Sequence, residues 1–144
     1  MDAAPRSFDE LPADPVLGVP VPFAAGTEPD ASVRTLDARR VTQCALSRTC
    51  GVCGATLGRP LAFVGTPREL DRKAFHVPAC HVACAERLLA SYADVAEPVL
   101  GLDAPPSDWV VVTSASFEFV RPGRDDVDRR PVFAPNGVHQ HVGP

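Results

Sequence analysis

Two pairs of soft metal ligands stand out: Cys50 with Cys53, and, after 27 intervening residues, His81 with Cys84. Thiolates and imidazole together favour a tetrahedral Zn²⁺. Glycines at 51 and 54 give the first pair the form of a zinc knuckle, a tight turn whose backbone amides face the sulfurs. His81 and Cys84 stand at i and i+3, which places both side chains on one side of a helix's first turn. A helix N-terminus also stabilises thiolates through its free amides and dipole. Cys80 and Cys84, at i and i+4, offer a four-sulfur alternative, and spacing alone leaves the choice between Cys80 and His81 open. Either way four protein donors close the coordination sphere, the mark of a structural rather than a catalytic ion. A lone Cys-x-x-Cys also suits a redox dithiol, but the second pair argues against that use.

The remaining reactive residues give weaker patterns. His76, followed by Val77 and Pro78, invites comparison with the base of a metal-dependent nuclease or hydrolase, the alternative reading of the chain. Only four residues separate His76 from His81, too few for the strand and helix such a site needs between its base and its closing zinc pair. His139 and His141, at i and i+2, would share one face of a strand and supply half of a second metal site. Few acidic residues cluster near these histidines in sequence, so no metal cage is evident. Cys44 falls on the apolar face of a predicted helix, where cysteine acts as a small hydrophobe.

These residues need elements to hold them. The run 81–92 lacks a breaker and sets Val82, Ala85, Leu88, Leu89 and Tyr92 on one face, which predicts a helix. Leu61-Ala62-Phe63-Val64, after Pro60, reads as a strand of a hairpin, followed by a polar loop carrying Arg68, Asp71, Arg72 and Lys73. Knuckle, hairpin and a helix with ligands in its first turn resemble the treble-clef zinc finger, here over about 48–93. Upstream, 37–48 predicts a short helix with Thr35 as N-cap, and 21–25 with 31–34 two short strands around a loop. Residues 1–20, with prolines at 5, 12, 15 and 20, form an extended lead-in. Downstream, 109–120 is β-prone, Phe117 and Phe119 alternate against Glu118, and Val132-Phe133 pairs back across a charged loop, giving a small antiparallel sheet over about 108–142. The expected fold is α+β, with one zinc-stapled domain over 21–144.

Composition agrees with a staple. Sixteen prolines, ten glycines and nine aromatics among 144 residues leave little apolar area to offset chain entropy. The first residues are acidic and proline-rich without an apolar signal core, and no run approaches the roughly 20 apolar residues of a membrane span, so a cytoplasmic chain without membrane contact is expected. Net charge is −4, yet residues 37–90 carry eight basic and four acidic side chains. Arg59, Arg68, Arg72, Lys73 and Arg87 in that segment would suit nucleic acid or an acidic protein surface. No phosphate loop or dinucleotide fingerprint suggests a small-molecule cofactor. A non-catalytic interaction module is the favoured reading.

At finer grain the chain resembles a group of small uncharacterised zinc-binding proteins of actinobacteria and their phages. The likeness runs through Gly18-Val19-Pro20-Val21-Pro22-Phe23, the stretch from Cys50 to Gly58, Ala62-Phe63-Val64-Gly65, and His81-Val82-Ala83-Cys84-Ala85-Glu86, within 15–142. In that group the second pair is His-x-x-Cys, which implies His81 rather than Cys80, and the C-terminal part is similarly β-rich. This chain departs at Glu97-Pro98, where relatives show Cys-Pro, and at His139-Gln140-His141, which replaces aromatic residues.

Overall fold

A computed structural model describes residues 7–26, 32–137 and 140–142. The architecture is α+β. Three helices, α1 (Ala38–Ser47), α2 (Pro67–Arg72) and α3 (Val82–Ser91), accompany strands β1 (Leu61–Gly65), β2 (Cys80–His81), β3 (Val110–Ser114), β4 (Phe117–Val120), β5 (Val132–Pro135) and β6 (Gln140–Val142). An antiparallel sheet of order β2-β1-β3-β6 forms the centre, and β4-β5 form a separate ribbon.

Every residue of β1 and of β3 is buried, because the sheet they share is covered on both faces. Side-chain alternation along a strand then sorts them into two cores. Ala62, Val64 and Val111 join Val21, Val52, Leu88, Tyr92 and Trp109 on one side. Leu61, Phe63 and Val112 join Val41, Phe75 and Phe133 on the other. The ring of Phe63 stacks on Phe75 with centroids 5.6 Å apart.

The pairing of 109–120 differs from expectation. The segment breaks at Ala115-Ser116, so β3 pairs with β1 (Phe63 opposite Val112) and only β4 pairs with β5 (Phe119 opposite Phe133). A strand as apolar as β3 needs cover on both faces, whereas β4 alternates half-buried with exposed residues and suits a ribbon. The C-terminal β part is therefore divided, and half of it completes the sheet that carries the metal-ligand segment.

Three further expectations are revised. The polar loop after β1 is α2: Thr66 and Glu69 form a reciprocal capping box, Pro67 fits the first turn, and Lys73 ends the helix at φ 52°. The cap of α1 is Asp37, not Thr35; its carboxylate accepts from the amides of Arg39 (2.9 Å) and Arg40 (3.3 Å). The N-terminal hairpin does not form over 21–25, where Phe23–Ala25 make a 3₁₀ turn ended by Gly26 at φ 92°; residues 27–31, from the expected loop and the first position of the second expected strand, lie outside the described residues. The amides of Phe23 and Ala24 donate instead to the carbonyls of Val52 and Gly51 at 2.9 Å each.

Residues 7–20 fold back rather than lead in. A bridge joins Ala13 to Pro20, Phe8, Leu11, Leu17 and Val19 pack on the first core, and the Tyr92 hydroxyl donates to the Pro20 carbonyl at 2.6 Å. Asp14, 5% exposed, organises the turn by accepting from the amides of Val16, Leu17 and Val33. Burial would raise its carboxyl, but these hydrogen bonds outweigh that and hold it below the usual value.

Gly65 closes β1 where any side chain would collide with Glu69 Oε1 and the Phe75 ring, whereas Gly58 faces open space. Gly65→Ala should lower stability by about 1–3 kcal/mol, the usual effect of forced overpacking, with Gly58→Ala close to neutral. Urea unfolding of both variants checks this; equal midpoints would contradict the packing.

Candidate metal centre

The knuckle is built by backbone geometry. The Cys50 amide donates to the Ala55 carbonyl at 2.7 Å and the Gly54 amide to the Cys50 carbonyl at 3.0 Å, with Gly54 at φ 84°, a conformation costly for other residues. This turn aims the amides of Val52 and Cys53 at Cys50 Sγ, both at 3.4 Å. Gly51 sits against Pro78, within 3.0 Å of where a β-carbon would meet that ring, and its amide donates to Ala79 at 2.9 Å. The knuckle is thereby fastened to the segment entering β2.

Register decides between Cys80 and His81. Ala62 lies opposite Cys80 and Leu61 opposite His81, so the two side chains leave β2 on opposite faces. Cys80 turns into the core, wholly buried, its sulfur 3.6 Å from the Ala62 carbonyl. His81 turns to the knuckle and caps α3, and Cys84 follows in the first turn. The ligand atoms of Cys50, Cys53, His81 and Cys84 all lie within 4.8 Å of one another. It is the one group of three or more His, Cys, Asp or Glu residues among the described residues arranged to hold a metal ion.

The imidazole is oriented for coordination. Its Nε2 lies 2.9 Å from the Thr56 carbonyl, which can only accept, so the proton belongs on Nε2 and the Nδ1 lone pair points at the sulfurs. Nδ1 is 3.5 Å from Cys53 Sγ and 3.7 Å from Cys84 Sγ. A tetrahedral ion with bonds of ~2.3 Å to sulfur and ~2.05 Å to nitrogen requires S···N edges of about 3.6 Å. The donor set fits such an ion.

Electrostatics point the same way. Thiols of Cys53 and Cys84 donating to Cys50, reinforced by the amides of Cys53 and His81, draw the Cys50 thiol far below its usual value. The reciprocal effect raises Cys53 and Cys84, because proximity to one thiolate disfavours a second and third. Three thiolates at this separation require a cation. Away from the cluster, burial pushes Cys44 up to about 12 and Cys80 well above the ordinary thiol range, as inert core thiols behave.

The predicted partner-binding cations are scattered in role. Arg59, Arg72 and Lys73 are exposed, and Arg68 lies 3.6 Å from Asp103 with both side chains largely in solvent. Arg87 is engaged within the chain, donating to Asp9 at 2.6 Å and lying 4.3 Å over the Phe8 ring. His76 sits apart from the cluster, held by Glu69, a contact the sequence signalled only through the Thr66-to-Glu69 capping box. His139 lies outside the described residues; His141 is opposite Val112 in the β3–β6 ladder. No helix among the described residues is long and apolar enough to cross a membrane.

Serine at Cys50, Cys53 or Cys84 should abolish bound metal, read by elemental analysis and native mass spectrometry, while Cys44→Ser and Cys80→Ser retain one ion per chain. Loss of the ion in the Cys80 variant together with its retention in His81→Ala would reverse the ligand assignment.

No family model matches the chain, and no curated protein or solved structure matches it, so its function is read from this centre and the surfaces around it.

Proposed function

We propose that the centre holds a structural Zn²⁺ and that the module it staples, a treble-clef-type finger within a larger α+β fold, is a non-catalytic docking unit for an acidic partner. The observation that carries the zinc reading is the convergence of three sulfurs and one correctly oriented imidazole from the knuckle and the β2–α3 junction. Zn²⁺ tolerates any ligand field and prefers four such donors; filling all four leaves no open position for a substrate or an activated water. When bound, the ion neutralises the thiolates and ties the knuckle to the start of α3. Structural zinc in small fingers is worth about 10–16 kcal/mol of apparent folding energy. Thiolate ligation also suits a reducing compartment such as the cytoplasm.

The docking face is α2 and its C-cap, which carry Arg68, Arg72 and Lys73; Arg59 precedes β1, at the other end of that strand. Of these, Arg59, Arg72 and Lys73 have no ion-pair partner among the described residues, so meeting an acidic surface breaks no internal pair. The expected partner is nucleic acid or an acidic protein face, with the resemblance to small zinc proteins of actinobacteria and their phages giving the setting. Arg87, already occupied by Asp9 and Phe8, is set aside.

Zinc-loaded protein should bind mixed-sequence DNA or RNA at low salt, with affinity falling steeply as salt rises. Arg72→Ala and Lys73→Ala should each reduce the slope of log K against log salt by about one phosphate's worth. Fluorescence anisotropy at several salt concentrations measures this. Absence of binding to both nucleic acids at low salt would reject them as partners, and failure of an acidic polypeptide to bind as well would reject the docking face.

A further inference from the structure

A second site lies around His76, away from the cysteine cluster. Glu69 is 4% exposed and its carboxylate is fully engaged: Oε1 accepts from the Thr66 amide at 3.0 Å, and Oε2 from the His76 amide at 3.1 Å. The same Oε2 lies 2.6 Å from His76 Nδ1, a short charge-assisted contact that fixes the ring. Nδ1 is thus committed to Glu69, and His76 is among the residues lining a cavity of about 110 Å³. At a liquid share of ~30 Å³ per water, that space holds a few waters or one small oxyanion.

Cations surround this cavity. Arg68, Arg72 and Arg130 line it, balanced in number by Glu69, Asp103 and Asp128. Four of these charges pair off: Arg68 faces Asp103, and Arg130 forks onto Asp128 through Nε at 3.0 Å and Nη2 at 2.9 Å. Glu69 holds His76. Arg72 alone has no partner among the described residues.

What meets His76 Nε2 is a carboxylate from within the chain. Asp128 Oδ2 lies 3.3 Å from it, carried on the exposed segment 121–130, where Val127 is 99% exposed. A carboxylate that accepts from an imidazole and a guanidinium fork beside a spare arginine occupies the position an external oxyanion would take. A monoanion is already supplied by Asp128; the uncommitted Arg72 and the solvent-exposed Arg68 add donors that suit a second negative charge.

We propose that this cavity is a binding site for a phosphate-type dianion, a free phosphate or a terminal phosphomonoester, which displaces the Asp128 carboxylate from His76 Nε2. Nε2 and Arg72 are its principal donors, Arg68 an outer one. Glu69 is a positioning residue that sets the ring. Entry opens the long 3.3 Å contact, while the Arg130 fork keeps the displaced carboxylate paired. The site is independent of the zinc reading, although it borrows Arg68 and Arg72 from the docking face.

The test uses the full zinc-loaded chain and inorganic phosphate, titrated against chloride at constant ionic strength and followed by the ¹⁵N and ¹H shifts of the His76 ring. A saturable response is expected, weakened about tenfold or more in Arg72→Ala, since a hydrogen bond to a charged group is worth about one decade of affinity. Asp128→Asn should tighten binding several-fold, because it removes the internal competitor; a purely structural His76–Asp128 contact would give no such gain. Zinc content and unfolding midpoints verify that the variants fold. A 5′-phosphorylated oligonucleotide that competes where its 5′-hydroxyl twin does not assigns the site to terminal phosphates, and competition by neither assigns it to free phosphate. No response in the wild type and in Asp128→Asn, a response unchanged in Arg72→Ala, or equal competition by both oligonucleotides would overturn the proposal. Loss of nucleic-acid binding with the phosphate response intact would strike the docking face alone.

Discussion

Three cysteine sulfurs and one imidazole nitrogen drawn within 4.8 Å of one another form a donor set that could hold a metal ion, and their mutual proximity is the constraint around which the rest is arranged. The first thiolate is welcome, because Cys50 is met by the amides of Val52, Cys53 and His81 at 3.4 Å each. The second and third are not, and the opposed shifts of Cys50 against Cys53 and Cys84 express that conflict. Once neutralised, the cluster couples everything near it. The knuckle anchors the 3₁₀ turn at Phe23, β2 is locked into register with β1, and α3 starts at His81, whose ring belongs to the cluster.

That coupling is economical for a chain so rich in proline and glycine. The central sheet has covers on both faces but only two five-residue strands at its middle, and its two cores are small. The cluster supplies long-range order where apolar burial is thin, and the aromatic group of Phe63, Phe75, Phe117 and Phe133 supplies it on the opposite face. Segments without an element of their own are held by single polar centres. Asp14 gathers three amides across the N-terminal turn, and Arg130 joins the loop before β5 to the Gly101 carbonyl at 2.7 Å.

Glu69 works at the other end of β1 in a comparable way. One carboxylate caps α2, fixes the backbone at His76 and sets the His76 ring, and Gly65 is required beside it because no side chain fits there. The cysteine cluster gathers four donors from the knuckle and the β2–α3 junction, whereas His76, set by Glu69, lines a cavity.

Local chemistry was readable from the chain itself. The Cys50-x-x-Cys53 and His81-x-x-Cys84 spacings, the breaker-free runs that became α1 and α3, and the apolar run of β1 all follow from patterns shorter than about a dozen residues. The capping box of α2 was equally local, but its polar surface masked a helix of only six residues. Tertiary structure separates Cys80 from His81, which spacing left open, since strand alternation sends one into the core and the other to the knuckle. It also sent β3 to β1 instead of β4, folded residues 7–20 onto the first core, and brought Glu69 and Asp128 to opposite nitrogens of His76. Each of these depends on which distant surface a segment must bury or which distant charge it must meet, and that information resides in the assembled chain, not in the spacing of neighbours.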